Sequence, residues 1–213
     1  MDETFLHGDL VRMLQGAIRR VRERHEDLSR LDSVGGDGDH GTTMMRAMGA
    51  LEKAADAGPR IPGVLLHDAG WAILGIDGGA TGPLFGMLFL GMSEALGDRM
   101  ELWPADLAAA FEAGLASVQK RTKAKPGDKT LLDALVPAVE ALRAAAAAGA
   151  GIPELLRCAA EAAERGAVST QAMAARFGRA KNVGEKSIGS QDPGATSVSL
   201  ILRGFFEGID SHG

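Results

Sequence analysis

LHGDLVRMLQGAIRRV, residues 6–21, places Leu6, Leu10, Leu14 and Ile18 on one face of a helix. These apolar residues recur every four positions, which fits the 3.6-residue turn of an α-helix and not the two-residue period of a strand. Alanine, leucine, methionine, glutamate and arginine dominate the remaining chain, and runs of β-branched residues are scarce. Because those five residues are strong helix formers, the sequence predicts an all-α protein.

Eight helices are expected, with prolines at the first position of several. Their approximate bounds are 5–29, 42–57, 62–74, 82–96, 104–123, 131–148, 153–177 and 195–207. Pro62, Pro104 and Pro153 favour three of these starts, because a first helical turn tolerates the missing N–H. Neither a long linker nor a repeat of fixed period divides the pattern. We therefore expect one domain over residues 1–213, built as an up-and-down array of helices.

Composition excludes several classes of protein. The 213-residue chain is 46% hydrophobic with a net charge of -5, which argues against a nucleic-acid or anionic-membrane surface. Its acidic start lacks the features of a signal peptide, and no apolar run is long enough to span a bilayer. With Cys158 as the single cysteine, neither an intramolecular disulfide nor a cysteine-based metal site is expected. A cytoplasmic location follows as the default expectation.

The connections between the predicted helices fall into two kinds. Three of them, AGPRI, GDRMELW and AGAGI, are ordinary turns. The other four, which follow helices one, three, five and seven, are rich in Gly, Asp, Lys, Arg and Thr: SRLDSVGGDGDHG, GIDGGATG, KAKPGDKT and GRAKNVGEKSIGSQDPG. Each helix of an up-and-down array reverses direction, so these four loops should share one end. The sequence thus predicts a functional rim at one end of the helices.

The first polar loop concentrates negative charge. Asp32, Asp37 and Asp39 supply three carboxylates within eight residues, among glycines that allow the chain to fold back. Hard oxygen ligands of this kind suit Mg²⁺. A simpler alternative is that Asp39 or Thr42 caps the next helix and the other residues form a solvated turn. Three aspartates among four glycines favour the metal.

Two known loop motifs do not fit the sequence. An EF-hand counted from Asp37 would place Gly41 and Met48 at its fifth and twelfth positions, where oxygen ligands are required. GDKT, residues 127–130, differs from a P-loop because Asp128 separates the glycine from the lysine and no earlier glycine stands at the required spacing.

Two helix starts could bind phosphate. HGTT, residues 40–43, and GGATG, residues 78–82, each place glycine and threonine where unpaired backbone N–H groups favour an anion. Either one alone is an ordinary turn with a threonine cap, but two on one rim beside three aspartates favour a phosphate cradle. In the last loop, Arg179 could bind phosphate oxygens with its planar guanidinium. With few aromatic residues in the chain, an adenine is expected to rest on aliphatic side chains near Leu132.

Four motifs together carry a resemblance to a known family. GDGDHGTTM, GGATGPLFG, GDKTLLDAL and GEKSIGSQDPGATS occur in the order found in the L subunit, or L domain, of dihydroxyacetone kinases, and the resemblance spans essentially the whole chain. It implies a barrel of eight antiparallel helices with ADP or ATP and two Mg²⁺ ions at one end. The site residues it implies are Asp32, Asp37 and Asp39 for metal, His40, Gly41, Thr42, Thr43, Ala80 and Thr81 for phosphate, and Gly127, Arg179, Asp192, Pro193 and Gly194 for the rest of the nucleotide.

The resemblance also implies partners. In this family a separate K subunit binds the ketose covalently through a histidine, so this chain is expected to be a kinase subunit that is active only with that partner and carries no catalytic base. The phosphoryl donor would be either exchanging ATP or a resident ADP, rephosphorylated by a phosphohistidine-carrying protein of the sugar phosphotransferase system. Phosphoryl transfer needs positioning and charge neutralisation above all, which Mg²⁺ and Arg179 can supply.

Several positions depart from the family pattern. Gly35 replaces a bulky aliphatic residue, Asn182 and Val183 replace an aromatic one, Lys186 replaces arginine and Ser190 replaces histidine. These departures leave the sugar open among dihydroxyacetone and related short ketoses or tetroses.

Two other functions stay open at this point. The nucleotide domain of fatty acid kinases is similar and also has a GDGD loop, but it tends to carry threonine in place of His40. Alternatively, the chain is a non-catalytic, ADP-loaded module that docks a transcriptional regulator, which the same aspartates would serve equally well.

Overall fold

The computed structural model describes residues 4–57 and 61–210. Eight α-helices occupy these ranges: α1 His7–Asp32, α2 His40–Ala57, α3 Pro62–Leu74, α4 Thr81–Leu96, α5 Pro104–Gln119, α6 Leu132–Ala147, α7 Ile152–Ser169 and α8 Pro193–Asp210. Three short 3-10 turns lie between α7 and α8: η1 Thr170–Ala172, η2 Arg179–Asn182 and η3 Gly184–Ser187. The described residues contain no β-strand, only one isolated bridge between Phe5 and Leu102. The all-α prediction is therefore confirmed.

The helices close into a ring. Each helix packs against the next one along the chain, and α8 packs extensively against α1, which brings the first and last helices together. Glycines allow this closure, because a Cβ added at Gly16 on α1 would overlap the backbone of Gly204 on α8. The interior is filled by buried leucines, methionines and phenylalanines from all eight helices. In the described part of the chain, no helix combines the length and the apolar character needed to cross a membrane.

Several helix ends differ from the prediction. The largest difference is in α7, which ends at Ser169 and not near residue 177, because the chain turns through η1 and is extended at Met173. The carbonyl groups of Thr170 and Met173 accept hydrogen bonds from the Lys129 ammonium group, and the Thr170 carbonyl also accepts one from the Met173 N–H at 3.1 Å. Helix α5 likewise ends at Gln119 rather than near residue 123. After α7, contacts with a distant side chain thus compete with the local helical pattern.

Candidate functional site

The four polar loops meet around one cavity, which confirms the predicted rim. The cavity has a volume of about 550 Å³, and every one of these loops contributes to its lining. The residues that line it come from 31–40 before α2, 78–85 at the start of α4, 122–131 before α6 and 177–194 before α8. Among the residues that the structure describes, none from the three plain turns belongs to the lining. Four segments that are distant in sequence therefore form a single site.

The three aspartates of the first loop come together. Asp32, Asp37 and Asp39 each offer a carboxylate oxygen, and these oxygens all lie within 4.8 Å of one another. Asp32 ends α1, while Asp37 and Asp39 lie in the loop before α2. The Oδ2 atom of Asp32 is buried and makes no hydrogen bond within the described structure. A buried oxygen without a partner, beside two other carboxylates, fits a hard divalent cation.

Arg179 approaches the same cluster from the opposite end of the chain. Its guanidinium donates to Asp37 Oδ1 and lies 3.4 Å from Asp39 Oδ1. The Arg179 and Asp37 side chains are each half exposed, so the ion pair contributes little to the stability of the fold. The ion pair does place the planar guanidinium group, whose N–H donors suit phosphate oxygens, at the edge of the carboxylate cluster.

His40 joins three helices at the cavity wall. Its Nε2 lies 2.8 Å from Ser197 Oγ on α8, and its Nδ1 lies 3.1 Å from Thr81 Oγ1 at the start of α4. Burial lowers the pKa of His40, although the nearby Asp32 and Asp39 carboxylates oppose that shift. A neutral imidazole with one donor and one acceptor nitrogen can satisfy both hydroxyl groups, so His40 orients Thr81 toward the site.

The remaining residues of the HGTT motif lie outside the cavity lining. Gly41 is buried where α2 crosses α1, and a Cβ there would overlap the carbonyl oxygen of His25. Thr43 is fully buried and accepts a hydrogen bond from Arg46 at 3.1 Å. Thr42 is exposed. Of the phosphate residues implied by the resemblance, His40 lines the cavity together with Ala80 and Thr81.

The loop before α6 is held by Asp133, which lies in the first turn of that helix. The Gly127 N–H donates to Asp133 Oδ1 at 2.5 Å, and Asp133 Oδ2 accepts from the Thr130 N–H at 2.7 Å. Gly127 itself does not line the cavity, and its φ of 95° is a conformation that glycine adopts readily. Its position therefore shapes the turn that carries Lys129 and Thr130 to the cavity wall.

The DPG turn caps the last helix. Asp192 Oδ2 accepts a hydrogen bond from the Ala195 N–H at 2.7 Å, and the Asp192 N–H donates to Thr170 Oγ1 at 2.8 Å. Burial raises the pKa of Asp192 to about 7, and the nearby Asp133 carboxylate adds to the shift, while the Ala195 N–H and the Lys129 ammonium oppose it. Asp192, with the Pro193 and Gly194 that follow it, lines the cavity.

The apolar wall differs from the expected one. Leu84, Phe85, Leu131 and Phe177 line the cavity, so two aromatic rings contribute despite the small number of aromatic residues in the chain. Leu132, the residue we expected near an adenine, is fully buried in the core. Leu131, the residue just before α6, lines the cavity. Leu132, the first residue of the helix, is turned to the interior.

Lys129 is a cavity residue that sequence reasoning missed. It is buried, and its ammonium group donates to the backbone carbonyls of Thr170, Met173, Ser187 and Ser190, at distances of 2.9, 3.2, 2.6 and 2.7 Å. The lysine of the GDKT sequence stood out only as part of a P-loop, and the spacing excluded that motif. A lysine in a glycine-rich turn was the available signal, but nothing local shows that its partners lie more than 40 residues away.

Two departures from the family pattern touch each other. A Cβ added at Gly35 would lie 2.8 Å from Ala180 Cβ and 3.1 Å from Val183 Cγ2. A bulky aliphatic residue at position 35 would therefore require the segment around residues 180–183 to move. The glycine in the loop before α2 and the small residues in the last loop fit together as a pair.

Comparison with known proteins agrees with the geometry. Residues 34–207 match the family model described as the DAK2 domain. The chain is 42% identical over 179 residues to the PEP-dependent dihydroxyacetone kinase ADP-binding subunit DhaL of Escherichia coli, covering 84% of this chain and 85% of that protein. It is 36% identical over 198 residues to the ADP-binding subunit DhaL of PEP-dependent dihydroxyacetone kinase 1 of Listeria innocua, covering 92% of this chain and 94% of that protein.

Longer proteins contain a similar region. Human triokinase/FMN cyclase is 37% identical over 99% of this chain, which spans 37% of that protein. The crystal structure of the dihydroxyacetone kinase of C. freundii in complex with AMP-PNP and Mg²⁺ shares the fold with a TM-score of 0.72 at 24% identity, covering 97% of this chain and 35% of that one. Since both the family model and the full-length DhaL relatives cover most of the sequence, the chain belongs to the DAK2-domain family, as a DhaL-like subunit of the dihydroxyacetone kinase type.

Proposed function

We propose that this chain binds a nucleotide and Mg²⁺ and presents a phosphoryl group to dihydroxyacetone, or to a related short ketose or tetrose, held on a separate K subunit. The observation that carries the proposal is the convergence of the Asp32, Asp37 and Asp39 carboxylates with Arg179 beside one cavity. Residues 1–213 would act as one nucleotide-binding domain. Because ADP and ATP are cytoplasmic, we expect the protein to work there.

Mg²⁺ fits the donor set of the first loop. Asp32, Asp37 and Asp39 would hold it, and the family resemblance favours two ions. When bound, Mg²⁺ neutralises phosphate charge that builds up during phosphoryl transfer. The orphaned Oδ2 atom of Asp32 supports this assignment, because a buried carboxylate oxygen is costly without a partner.

The chain's own residues would bind and orient the nucleotide. Thr81, fixed by its contact with His40, lies at the amino end of α4, where the helix dipole favours an anion. Arg179 would bind phosphate oxygens, and Leu131 and Phe177 would contact the base. Phosphate binding would also involve the start of α2, to which the exposed Thr42 and the packing residues Gly41 and Thr43 belong. Gly127 would contribute to nucleotide binding through the turn before α6.

The acceptor and its activation must come from a partner. We assign no catalytic base to the cavity, and the K subunit would supply both the sugar and the group that accepts its proton. Two sources of the phosphoryl group fit the site. Either ATP exchanges at each turnover, or ADP stays bound and a phosphohistidine-carrying protein rephosphorylates it, as the name of the E. coli relative suggests.

Reconstitution tests the proposal. The purified chain is mixed with the K subunit of E. coli dihydroxyacetone kinase, and formation of dihydroxyacetone phosphate is followed with either Mg·ATP or a phosphoenolpyruvate-driven phosphotransferase system. We expect product only when both subunits and one of the two donors are present. Nucleotide binding without product from any short ketose or tetrose, combined with capture of a regulator, would support the non-catalytic alternative instead.

A further inference from the structure

The Lys129 ammonium group lies in a cage of backbone carbonyls. Its four acceptors come from Thr170, Met173, Ser187 and Ser190, and all of them belong to the segment that connects α7 to α8. Lys129 is 4% exposed, and its ammonium group forms no salt bridge with a carboxylate of the described residues, although the Asp192 carboxylate is near enough to stabilise its charge. Four neutral oxygens around one cation resemble the arrangement in which carbonyls replace the hydration shell of a monovalent ion.

The backbone of Lys129 also stands out. Its φ is 60°, and among the described residues it is the one non-glycine residue with a positive φ. A residue with a Cβ is strained in this conformation and stays there only when its surroundings determine it strongly. The backbone conformation directs the ammonium group toward the carbonyls. A glycine at position 129 would relieve the strain but would also remove the ammonium group.

The segment that the cage organises has few other anchors. Between Met173 and Asp192 it contains only two short 3-10 turns, and its buried side chains are Ala175 and Ser187. Backbone hydrogen bonds hold a few points, such as Gly189 N–H to Gln171 O at 2.8 Å. Because the carbonyls of the cage lie at both ends of the segment, one ammonium group fixes both ends at once.

The same segment carries functional residues. Phe177 and Arg179 line the cavity, and Arg179 reaches the carboxylate cluster. Their positions therefore depend on how the segment is held against the loop before α6. This loop supplies Lys129 itself and also the Asp128 carboxylate, which lies 3.4 Å from Arg176 Nη1.

We propose that Lys129 is a positioning residue whose ammonium group takes the place of a monovalent cation and clamps the α7–α8 segment, so that Arg179 and Phe177 face the nucleotide cavity. The part of the proposal that concerns nucleotide affinity rests on the proposed function. The clamp itself does not.

Lys129→Met provides the test. Methionine fills the space of the lysine stem but is one heavy atom shorter and carries no donor, which removes the ammonium hydrogen bonds to all four carbonyls and leaves the ammonium position open. Lys125→Met, at an exposed lysine of the same loop, is the matched control. The segment contains natural trypsin sites at Arg176, Arg179, Lys181 and Lys186, so cleavage there reports directly on its opening.

We expect trypsin to cleave residues 176–186 of the folded Lys129→Met protein about tenfold faster or more, since a hydrogen-bonded charge has been lost. K⁺ or NH₄⁺ should restore the protection by occupying the cage, whereas Na⁺ or Li⁺ at equal ionic strength should not. ADP affinity, measured with Mg²⁺, should fall and recover with the same ions. Lys125→Met should behave as the parent does in each assay.

Several results would overturn the clamp. Parent-like cleavage of folded Lys129→Met would show that the ammonium group does not hold the segment. A loss of protection that K⁺ and NH₄⁺ do not repair would refute the replacement of a monovalent cation. If Lys129→Met and Lys129→Gln both fail to fold, even with K⁺, the residue is a general requirement of the fold and not a positioning residue. Failure of the parent to bind any nucleotide would refute the proposed function, while the cleavage result would still decide the role of Lys129.

Discussion

Arg179 donates to Asp37 and lies 3.4 Å from Asp39, which joins the α7–α8 segment to the α1–α2 loop at the edge of the cavity. More than a hundred residues separate these partners along the chain, and ring closure between α1 and α8 brings their loops together. The guanidinium balances part of the negative charge of the carboxylate cluster. The proposed function assigns the same guanidinium a contact with phosphate oxygens.

Arg179→Gln should weaken nucleotide binding and leave stability nearly unchanged. We expect ADP affinity to fall about tenfold or more, because a charge-assisted contact to phosphate is lost. The free energy of unfolding should change by less than about 0.5 kcal/mol, since the side chain is half exposed. Calorimetric titration and urea unfolding measure the two quantities. Arg143→Gln, at an exposed arginine of α6 paired with Glu112, should alter neither, and equal loss in both variants would refute a specific role.

Gly41→Ala should destabilise the fold through packing. Its Cβ would overlap the carbonyl oxygen of His25, so α1 and α2 must separate, at a cost of about 1–3 kcal/mol. Gly49→Ala on the same helix has nothing within 4 Å of the new Cβ and should stabilise the protein by up to about 1 kcal/mol. Urea unfolding distinguishes these effects. An unchanged stability in Gly41→Ala with weaker nucleotide binding would assign the glycine to phosphate contact alone.

Asp192 should make the ligand-free protein less stable as pH rises. Burial raises its folded pKa to about 7, above the value of an unfolded aspartate, so the folded state keeps a proton that the unfolded state releases. Stability contributed by this group is complete below about pH 4 and is lost as pH rises through about 7. Asp192→Asn keeps an acceptor oxygen for the Ala195 N–H but does not titrate.

The difference between these two proteins isolates the Asp192 effect. Urea unfolding of the parent and of Asp192→Asn, measured from about pH 4 to about pH 7, should show the parent losing stability relative to the variant. Burial lowers the pKa of His40, which would act in the opposite direction, but His40 is present in both proteins and cancels. Parallel pH curves would show that Asp192 ionises normally in the folded state.

Local patterns predicted the helices and the rim because each depends on nearby residues. The apolar period of α1 and the prolines that begin α3 and α5 act within one turn, and the shared end of the four polar loops follows from alternating helix direction. The carboxylate cluster was also predictable, because its members lie within eight residues of the sequence.

Long-range contacts account for what the sequence did not predict. The early end of α7 depends on Lys129, whose carbonyl partners lie in the segment between α7 and α8. The fit of Gly35 against Ala180 joins two loops that are far apart in the sequence. Neither contact is marked in the sequence by a periodic pattern or a motif. Likewise, the buried place of Gly41 shows that a glycine in a phosphate-like motif can be required by helix packing.

The most direct test of the account is Mg²⁺-dependent ADP binding to the parent chain and to Asp37→Asn. Asp37 is exposed, so its replacement should leave the fold intact while removing one member of the carboxylate cluster. Asp77→Asn, at an exposed aspartate outside that cluster, is the control. We expect near-stoichiometric binding to the parent and to Asp77→Asn only when Mg²⁺ is present, and at least about tenfold weaker binding to Asp37→Asn. Equal binding to all three proteins, with or without Mg²⁺, would contradict the account.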